Sequence, residues 1–144
     1  MRLRPLLLLC LVAGCNGTDL TPKFVGTWAA TAGKATTSCP GGSAIPDLDL
    51  AATGAMLTVT SDNAQKLRVT TSTNTACPIN FSVAGNLATA DAGQSCTGGS
   101  VTVTVTSSTL TLSGDTLAVT ADTSETINGK ACTGSYVGVI ATRR

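Results

Sequence analysis

One stretch of the chain alternates strictly between apolar and hydroxyl-bearing side chains. Valine and threonine take turns over residues 101–106, and leucine and threonine do so over residues 109–112. A period of two is typical of a strand with one buried face. Gly114-Asp115 then predicts a two-residue hairpin turn into a further strand. We expect a second such turn at Ser107-Ser108, because it keeps the valines and the leucines on one face of the sheet.

The two turns make definite predictions about register. The turn at 114–115 places Leu112 opposite Leu117. The turn at 107–108 places Leu112 opposite Val103 and Leu110 opposite Val105. Every apolar side chain in these pairs then lies on the same face, and a slip of one residue would reverse that arrangement.

Similar alternation extends through the rest of the chain. Further strands are predicted at residues 24–31, 47–52, 57–60, 67–70, 79–83, 87–91 and 133–141. Eight to ten strands joined by short connections favour an antiparallel up-and-down meander. A sheet of that size closes or splits into two layers. The predicted fold class is therefore all-β, most simply a closed barrel, with a β-sandwich as the alternative.

The first residues follow a different pattern. Arg2 and Arg4 precede an apolar run at residues 6–13. Two cations followed by about eight apolar residues are typical of a secretory signal peptide. The run is too short to cross a bilayer, which takes roughly 20 residues.

The end of that run, Leu11-Val12-Ala13-Gly14-Cys15, resembles the lipobox of bacterial lipoproteins. In that family the cysteine thiol receives a diacylglyceryl group and the signal is cut just before it. The resemblance implies that Cys15 is the lipid attachment site and that the chain is anchored in the bacterial cell envelope. Asn16 after the cysteine favours the outer membrane. The alternative is an ordinary signal peptide that happens to end near a cysteine.

These patterns predict the organisation of the whole chain. Residues 1–14 form the signal peptide, residues 15–22 a lipidated tether, and residues 23–144 a single all-β domain. Without Arg2 and Arg4, the nine cations become seven against eight acidic residues. A net charge near −1 argues against nucleic acid as a partner.

Two of the six cysteines belong to the predicted signal peptide and lipobox. The remaining four are Cys39, Cys77, Cys96 and Cys132. An even number in an exported chain predicts two disulfides, with three connectivities to choose from. The chain has no histidine and no CxxC pair, so we predict no metal site.

The segment Phe24-Val25-Gly26-Thr27-Trp28 resembles the Gly-x-Trp opening of lipocalins and fatty-acid-binding proteins. In that superfamily the tryptophan closes the base of an up-and-down barrel, and an arginine near the chain end packs across its ring. The resemblance implies a lipocalin-like barrel with structural roles for Gly26, Trp28 and Arg143, with Arg144 as the other candidate arginine.

Barrel closure favours one disulfide connectivity. If the first and last strands pair antiparallel, Cys39 after the first strand meets Cys132 before the last. Trp28 then falls opposite residues near Arg143. Cys77 and Cys96 flank a hairpin predicted at residues 85–86, so Cys77–Cys96 is the second expected bridge. An open sandwich would instead allow Cys39 to reach Cys77.

Candidates for chemistry are few. Glu125, the only glutamate, is expected in the loop before Asn128. Asp47 and Asp49 would share one face of a strand, where they could bind Ca²⁺ or act as an acid/base pair, although a solvated strand edge is favoured. Without histidine or a free cysteine, the common nucleophile–base pairs are missing. We therefore predict no catalytic residue and no cofactor.

Two functions remain from the sequence. The first is a lipid-anchored barrel that binds a small apolar ligand, with the membrane as its other partner. The alternative is an envelope lipoprotein with a structural or protein-interaction role, such as an enzyme inhibitor. Residues 133–136, Thr-Gly-Ser-Tyr, resemble a loop of membrane-bound lysozyme inhibitors. A hollow interior would favour the first function and a filled interior the second.

Overall fold

A computed structural model describes residues 18–42, 45–72 and 74–144. The predicted signal peptide and the lipobox with Cys15 lie outside the described residues. Within the described ranges, no helix combines the length and the hydropathy needed to cross a membrane.

The described residues form one helical turn and ten strands. Their bounds are α1 (Thr21–Phe24), β1 (Gly26–Ser38), β2 (Leu48–Asp49), β3 (Met56–Asn63), β4 (Lys66–Thr71), β5 (Asn74–Ala84), β6 (Leu87–Ala90), β7 (Ser95–Gly98), β8 (Val101–Ser113), β9 (Thr116–Ile127) and β10 (Lys130–Arg143). The helix α1 begins inside the predicted tether, and its first residue, Thr21, is buried.

Eight of these strands close into an antiparallel barrel. The hydrogen-bonded order is β1, β3, β4, β5, β6, β8, β9 and β10, and β10 pairs back with β1. β2 is a short addition to β1, and β7 is a short addition to β8. The predicted all-β closed barrel is confirmed, and the β-sandwich alternative is wrong.

The alternation along β9 shows how the sequence builds this barrel. Leu117, Val119 and Ala121 are buried, whereas Thr120 and Asp122 are exposed. The apolar side chains therefore face the interior, and the hydroxyl and carboxyl groups face solvent. The buried apolar cluster is Phe24, Trp28, Leu50, Val59, Leu67, Val69, Phe81, Val83, Ala88, Leu110, Leu112, Leu117, Val119, Val139 and Ala141.

The hairpin at Gly114-Asp115 forms as predicted. Leu112 pairs with Leu117, and Leu110 pairs with Val119. Gly114 has a φ of +58°, a backbone conformation that a tight turn requires and that glycine adopts without strain.

The second predicted turn, at residues 107–108, is wrong. β8 continues straight through it, with a shift of register against β9 between Val105 and Ser107. This β-bulge turns Thr106 and Ser107 outward together and leaves Val105 and Ser108 buried. The extra residue restores the apolar face as a turn would have done. The predicted pairs of Val105 with Leu110 and of Val103 with Leu112 therefore do not form.

A second irregularity lies in β10, whose register shifts against both β9 and β1. The register between β10 and β9 shifts from Tyr136 to Val139, so both side chains face the interior. Gly33 on β1 lies opposite this bulge with a φ of +99°, and a Cβ atom there would overlap the backbone of Val139. Glycine is needed at this close approach of the two strands.

The structure contains both expected disulfides. Cys39 is bonded to Cys132, with the α-carbons 4.2 Å apart. Cys77 is bonded to Cys96, with the α-carbons 5.8 Å apart. The first bridge continues the β1–β10 pairing and closes the barrel covalently at one end.

The other end of the barrel is sealed by Trp28. The ring is fully buried, and its Nε1 donates a hydrogen bond of 2.8 Å to the carbonyl oxygen of Phe24. The guanidinium carbon of Arg143 lies 4.5 Å from the ring centroid. Arg143 also donates hydrogen bonds to the carbonyl oxygens of Val25, at 2.6 Å, and of Lys23. Arg143, rather than Arg144, is thus the arginine that packs on the tryptophan.

Candidate functional site

The barrel encloses a cavity of about 290 Å³. It extends toward the disulfide end of the barrel, where Cys77 and Cys96 form part of its wall. Its wall is mostly apolar: Leu57, Val69, Thr71, Cys77, Ile79, Phe81, Cys96, Val103, Val105, Ser108, Leu110, Val119, Ala121, Thr123 and Tyr136. An apolar pocket with a few polar groups is typical of a small-molecule site.

The size of the inward side chains explains where this cavity lies. Near Trp28, β8 contributes leucines such as Leu112 to the interior. Further along the same strand the inward side chains are Val105 and Val103, and on β9 they fall from leucine to Ala121. The interior is therefore packed at the tryptophan end and hollow at the disulfide end.

The hollow end is accessible to solvent. Tyr136 lines the cavity, yet 37% of the residue is exposed. At the opposite end, Phe24 and Trp28 are both 0% exposed. The cavity is therefore open to solvent on the side of Tyr136 and closed at the base.

A second cavity of about 70 Å³ adjoins the first, and the two share Leu57, Thr71, Val119 and Tyr136 as wall residues. It lies where β1 separates from β3, beneath the segment that carries β2 and Leu50. Leu50 is buried, and its amide donates a hydrogen bond of 3.0 Å to the carbonyl oxygen of Gly33. The β2 segment thus covers the side of the barrel next to the main cavity.

The polar groups of the main cavity have different roles. Ser108 sits at the bulge of β8, and its hydroxyl donates a hydrogen bond of 2.8 Å to the carbonyl oxygen of Thr120. It therefore serves the local backbone. Thr123 and Tyr136 lie closer to the disulfide end, on the neighbouring strands β9 and β10.

Glu125 belongs to the same end of the barrel, and its predicted position in a loop is wrong. It lies in β9, paired with Val103 on β8 and with Cys132 on β10. Cys96 pairs with Val103 on the far side. We call these four residues the mouth row. They run across four adjacent strands, with a disulfide cysteine at each end.

The carboxylate of Glu125 leans from the mouth row toward the cavity. Its Oε1 accepts a hydrogen bond of 2.9 Å from the hydroxyl of Thr123. Both side chains lie over Gly134, where a Cβ atom would overlap Glu125 Oε1 and Thr123 Oγ1. The missing side chain at residue 134 makes room for the carboxylate. Partial burial, together with the negative charge of Glu125, raises the pKa of the Tyr136 hydroxyl above 10.0.

The other candidates from the sequence do not form a site. Asp47 pairs with Lys34. Asp49 accepts a hydrogen bond of 2.9 Å from the amide of Ala52 and so stabilises a turn. Only Asp49 belongs to β2, so the predicted carboxylate pair on one strand face is wrong. Residues 133–136, which resemble an inhibitor loop, lie inside β10. The described residues contain no group of three or more potential metal-ligating side chains of the His, Cys, Asp or Glu type.

An outward network on the barrel surface links β4 and β5 to Asp91, the residue that follows β6. Lys66 Nζ lies 3.2 Å from the carboxylate of Asp91, and Ser82 donates a hydrogen bond of 2.7 Å to that carboxylate. The hydroxyl of Ser82 and then the ammonium of Lys66 hold the pKa of Asp91 below its ordinary value of 3.8. This network braces the wall from outside and does not reach the cavity.

No protein-family model matches this chain, and no curated protein or solved structure matches it. Its function therefore has to be inferred from the interior of the barrel.

Proposed function

We propose that the protein is a lipid-anchored barrel of the bacterial cell envelope that binds a small apolar molecule in its interior. The observation that carries this proposal is the cavity of about 290 Å³ with its mostly apolar wall. An engineered apolar cavity of about 150 Å³ binds benzene, so this one suits a molecule of about twice that size. Ligand pockets commonly range from about 300 to 1,000 Å³, which also points to a small ligand.

The cavity is not a requirement of the fold. Protein interiors are normally packed with few voids larger than a water molecule. The tryptophan end of this barrel meets that standard with fully buried Phe24, Trp28 and Leu117. At the other end, Ala121 and Val103 occupy positions where leucine or phenylalanine would fill the space. A hollow of this size, reached by solvent at one end, favours binding over a purely structural role.

Two features support a location of the protein in the cell envelope. Both disulfides are of the kind that persists outside the cytoplasm. The lipobox resemblance at residues 11–15 adds a lipid anchor at Cys15, and Asn16 favours the outer membrane. Several acyl chains together anchor a protein durably, because each buried CH₂ contributes about 0.8 kcal/mol.

The binding proposal is tested by filling the cavity. Ala121→Phe adds a ring of the size of benzene, which occupies about half of the space. The matched control is Ala118→Phe, three residues away on the same strand and on the outer face. We expect 2-naphthol, a neutral two-ring probe, to bind the wild type and Ala118→Phe alike, and to bind Ala121→Phe at least about tenfold more weakly.

Fluorescence titration of the probe measures these affinities, and circular dichroism checks that each variant is folded. Equal affinity for both variants would place the probe outside the cavity and refute the proposal. A wild type that binds no apolar probe would refute it as well and would leave the structural or protein-interaction role, such as an enzyme inhibitor.

The anchor is tested at Cys15. In the bacterial host, a fatty-acid analogue should label the wild type, whereas Cys15→Ser should stay unlabelled and leave the membrane fraction. The barrel itself should fold in both cases, because Cys15 precedes α1 and takes no part in either disulfide. Label retained by Cys15→Ser would contradict lipidation at this residue.

A further inference from the structure

Among the described residues, the cavity wall and the mouth row together contain one charged side chain. None of the described residues that line the cavity is charged. In the mouth row above it, Glu125 is the one ionisable side chain, because the cysteines on either side are bonded. The interior thus presents an apolar wall with one carboxylate at its open end.

That carboxylate forms no ion pair with any described residue. Among the described residues, the ion pairs are Lys34 with Asp47 and Lys66 with Asp91, and neither includes a residue of the mouth row. Lys130, at the β9–β10 turn, is exposed and makes no ion pair with Glu125. The hydrogen bond from Thr123 engages only Oε1 of the carboxylate. The second oxygen is left to accept a hydrogen bond from something that enters the barrel.

The neighbouring residues hold the carboxylate of Glu125 in a defined position. Gly134 lies beneath it, and any other residue there would push the carboxylate away. Thr123 holds it on the cavity side of the strand. Tyr136, two residues further along β10, lines the same cavity and lies close enough to Glu125 for burial and that negative charge to raise the pKa of its hydroxyl. The result is a cluster of hydrogen-bond acceptors at the end of an apolar pocket.

We infer that the ligand is an amphipathic cation, with a primary amine that binds Glu125 at the mouth and an apolar body that fills the cavity. This inference rests on the proposed function and specifies its ligand class. An ammonium group offers three donors. The carboxylate of Glu125 and the hydroxyl oxygens of Thr123 and Tyr136 accept them. A charge-assisted hydrogen bond of this kind is stronger than one between neutral groups.

The same geometry selects against anionic ligands. A fatty acid that placed its tail in the cavity would bring its own carboxylate to Glu125. Like charges at close range repel, and the apolar wall reduces the screening by water. A neutral alcohol of the same length should fall between the amine and the acid.

The test compares three ligands that differ only at the head group: octylamine, octanol and octanoate. At pH 7 the amine is cationic, as a lysine side chain is, and the acid is anionic. Displacement of 2-naphthol from the wild type should show octylamine binding at least about tenfold more tightly than octanoate. In Glu125→Gln the two affinities should come within about threefold of each other, and octanol should bind as it does to the wild type.

Asp122→Asn is the matched control. Asp122 is an exposed carboxylate on the outer face of the same strand, where it accepts a hydrogen bond from Ser107. Removing it changes the net charge as Glu125→Gln does but leaves the mouth unaltered. This variant should keep the full preference of the wild type for octylamine.

The possible results distinguish a failure of the proposed ligand class from a failure of the proposed binding function. If none of the three ligands binds the wild type, the proposed function fails. If octanol binds but the amine and the acid bind equally, or if Glu125→Gln keeps the preference, the proposed function stands and the inference is overturned. Should Glu125→Gln fail to bind octanol, Glu125→Asp, which withdraws the carboxylate by one methylene, replaces it and should weaken only octylamine. A wild type that prefers octanoate overturns the inference without any variant.

Discussion

The two disulfides should differ in how much they stabilise the barrel, because they close loops of very different length. Cys39 and Cys132 are 93 residues apart, whereas Cys77 and Cys96 are 19 apart. In the chain-entropy treatment, a cross-link destabilises the unfolded chain by an amount that grows with the logarithm of the loop. The long loop corresponds to about 4.7 kcal/mol and the short loop to about 3.2 kcal/mol.

We therefore compare Cys39→Ala/Cys132→Ala with Cys77→Ala/Cys96→Ala. The first double variant should lose about 1.5 kcal/mol more unfolding free energy than the second. Packing acts in the same direction, because Cys132 is buried whereas Cys77 and Cys96 are only half-buried.

Urea unfolding followed by tryptophan fluorescence measures both losses. Trp28 is the only tryptophan and is fully buried, so its emission reports the opening of the barrel. The slope against urea should also rise in both variants, since a chain without the cross-link exposes more surface when it unfolds. An equal or larger loss on removing Cys77–Cys96 would refute the reasoning from loop length.

Three further predictions concern the wall and the base of the barrel. Val119→Asp should lower the unfolding free energy by roughly 3 kcal/mol or more, because it brings an unpaired charge into the interior. Thr120→Asp, on the outer face, should lower it by about 0.5 kcal/mol or less. Equal shifts of the two melting temperatures would contradict the assigned faces. Arg143→Ala should lower the unfolding free energy by about 2 kcal/mol and shift the emission of Trp28 to longer wavelength, because the stacked cation and its hydrogen bonds are lost. An unchanged emission spectrum would show that the base of the barrel is sealed without Arg143. The pKa of Asp91 is lowered in the folded state, so its contribution to stability is present at neutral pH and is lost as the pH falls below about 4. Asp91→Asn should therefore reduce the loss of stability at acid pH. An unchanged pH dependence of stability would exclude this role.

The sequence predicted the barrel well because its signals are local and repeated. A period of two on β8 and β9 defines one apolar face, and the turn at Gly114-Asp115 sets the register between the strands. The Trp28–Arg143 contact and both disulfides follow from the closure of the sheet. Each of these features depends on which residues face inward, and the alternation contains that information.

The turn expected at residues 107–108 is an example of a feature that the local sequence pattern does not determine. The apolar positions change parity between Val105 and Leu110, and a two-residue turn or a β-bulge restores the face equally well. The choice depends on the neighbour. As a bulged strand, β8 pairs with β9 over its full length, from Val101 opposite Ile127 to Ser113 opposite Thr116. A turn at residues 107–108 would have kept only five of these twelve pairs, those of residues 109–113. The partner strand β9 follows later in the sequence, so the pattern around residues 107–108 alone does not reveal it.

The site at the mouth was harder to predict than the fold. Glu125 lies close to the Asn128-Gly129 turn, so its position in the sequence suggested a loop. Its inward direction is shown by the pairing with Cys132 and by the space above Gly134. The period of two that runs from Leu117 to Ala121 continues through Thr123, and it already places Glu125 on the inward face.

The two ends of the barrel are stabilised in different ways, one by apolar packing and the other by disulfides. At the base, Trp28, Phe24 and Leu117 are fully buried and supply stability through apolar contacts. The opposite end gives up those contacts to keep a cavity open. Both disulfides lie there, and the Cys77–Cys96 pair forms part of the cavity wall itself. Covalent bridges stabilise a fold where a hydrophobic core is insufficient. A bridge also keeps strands in place when the space between them is empty, so the mouth can hold Glu125 at a fixed position without a packed core behind it.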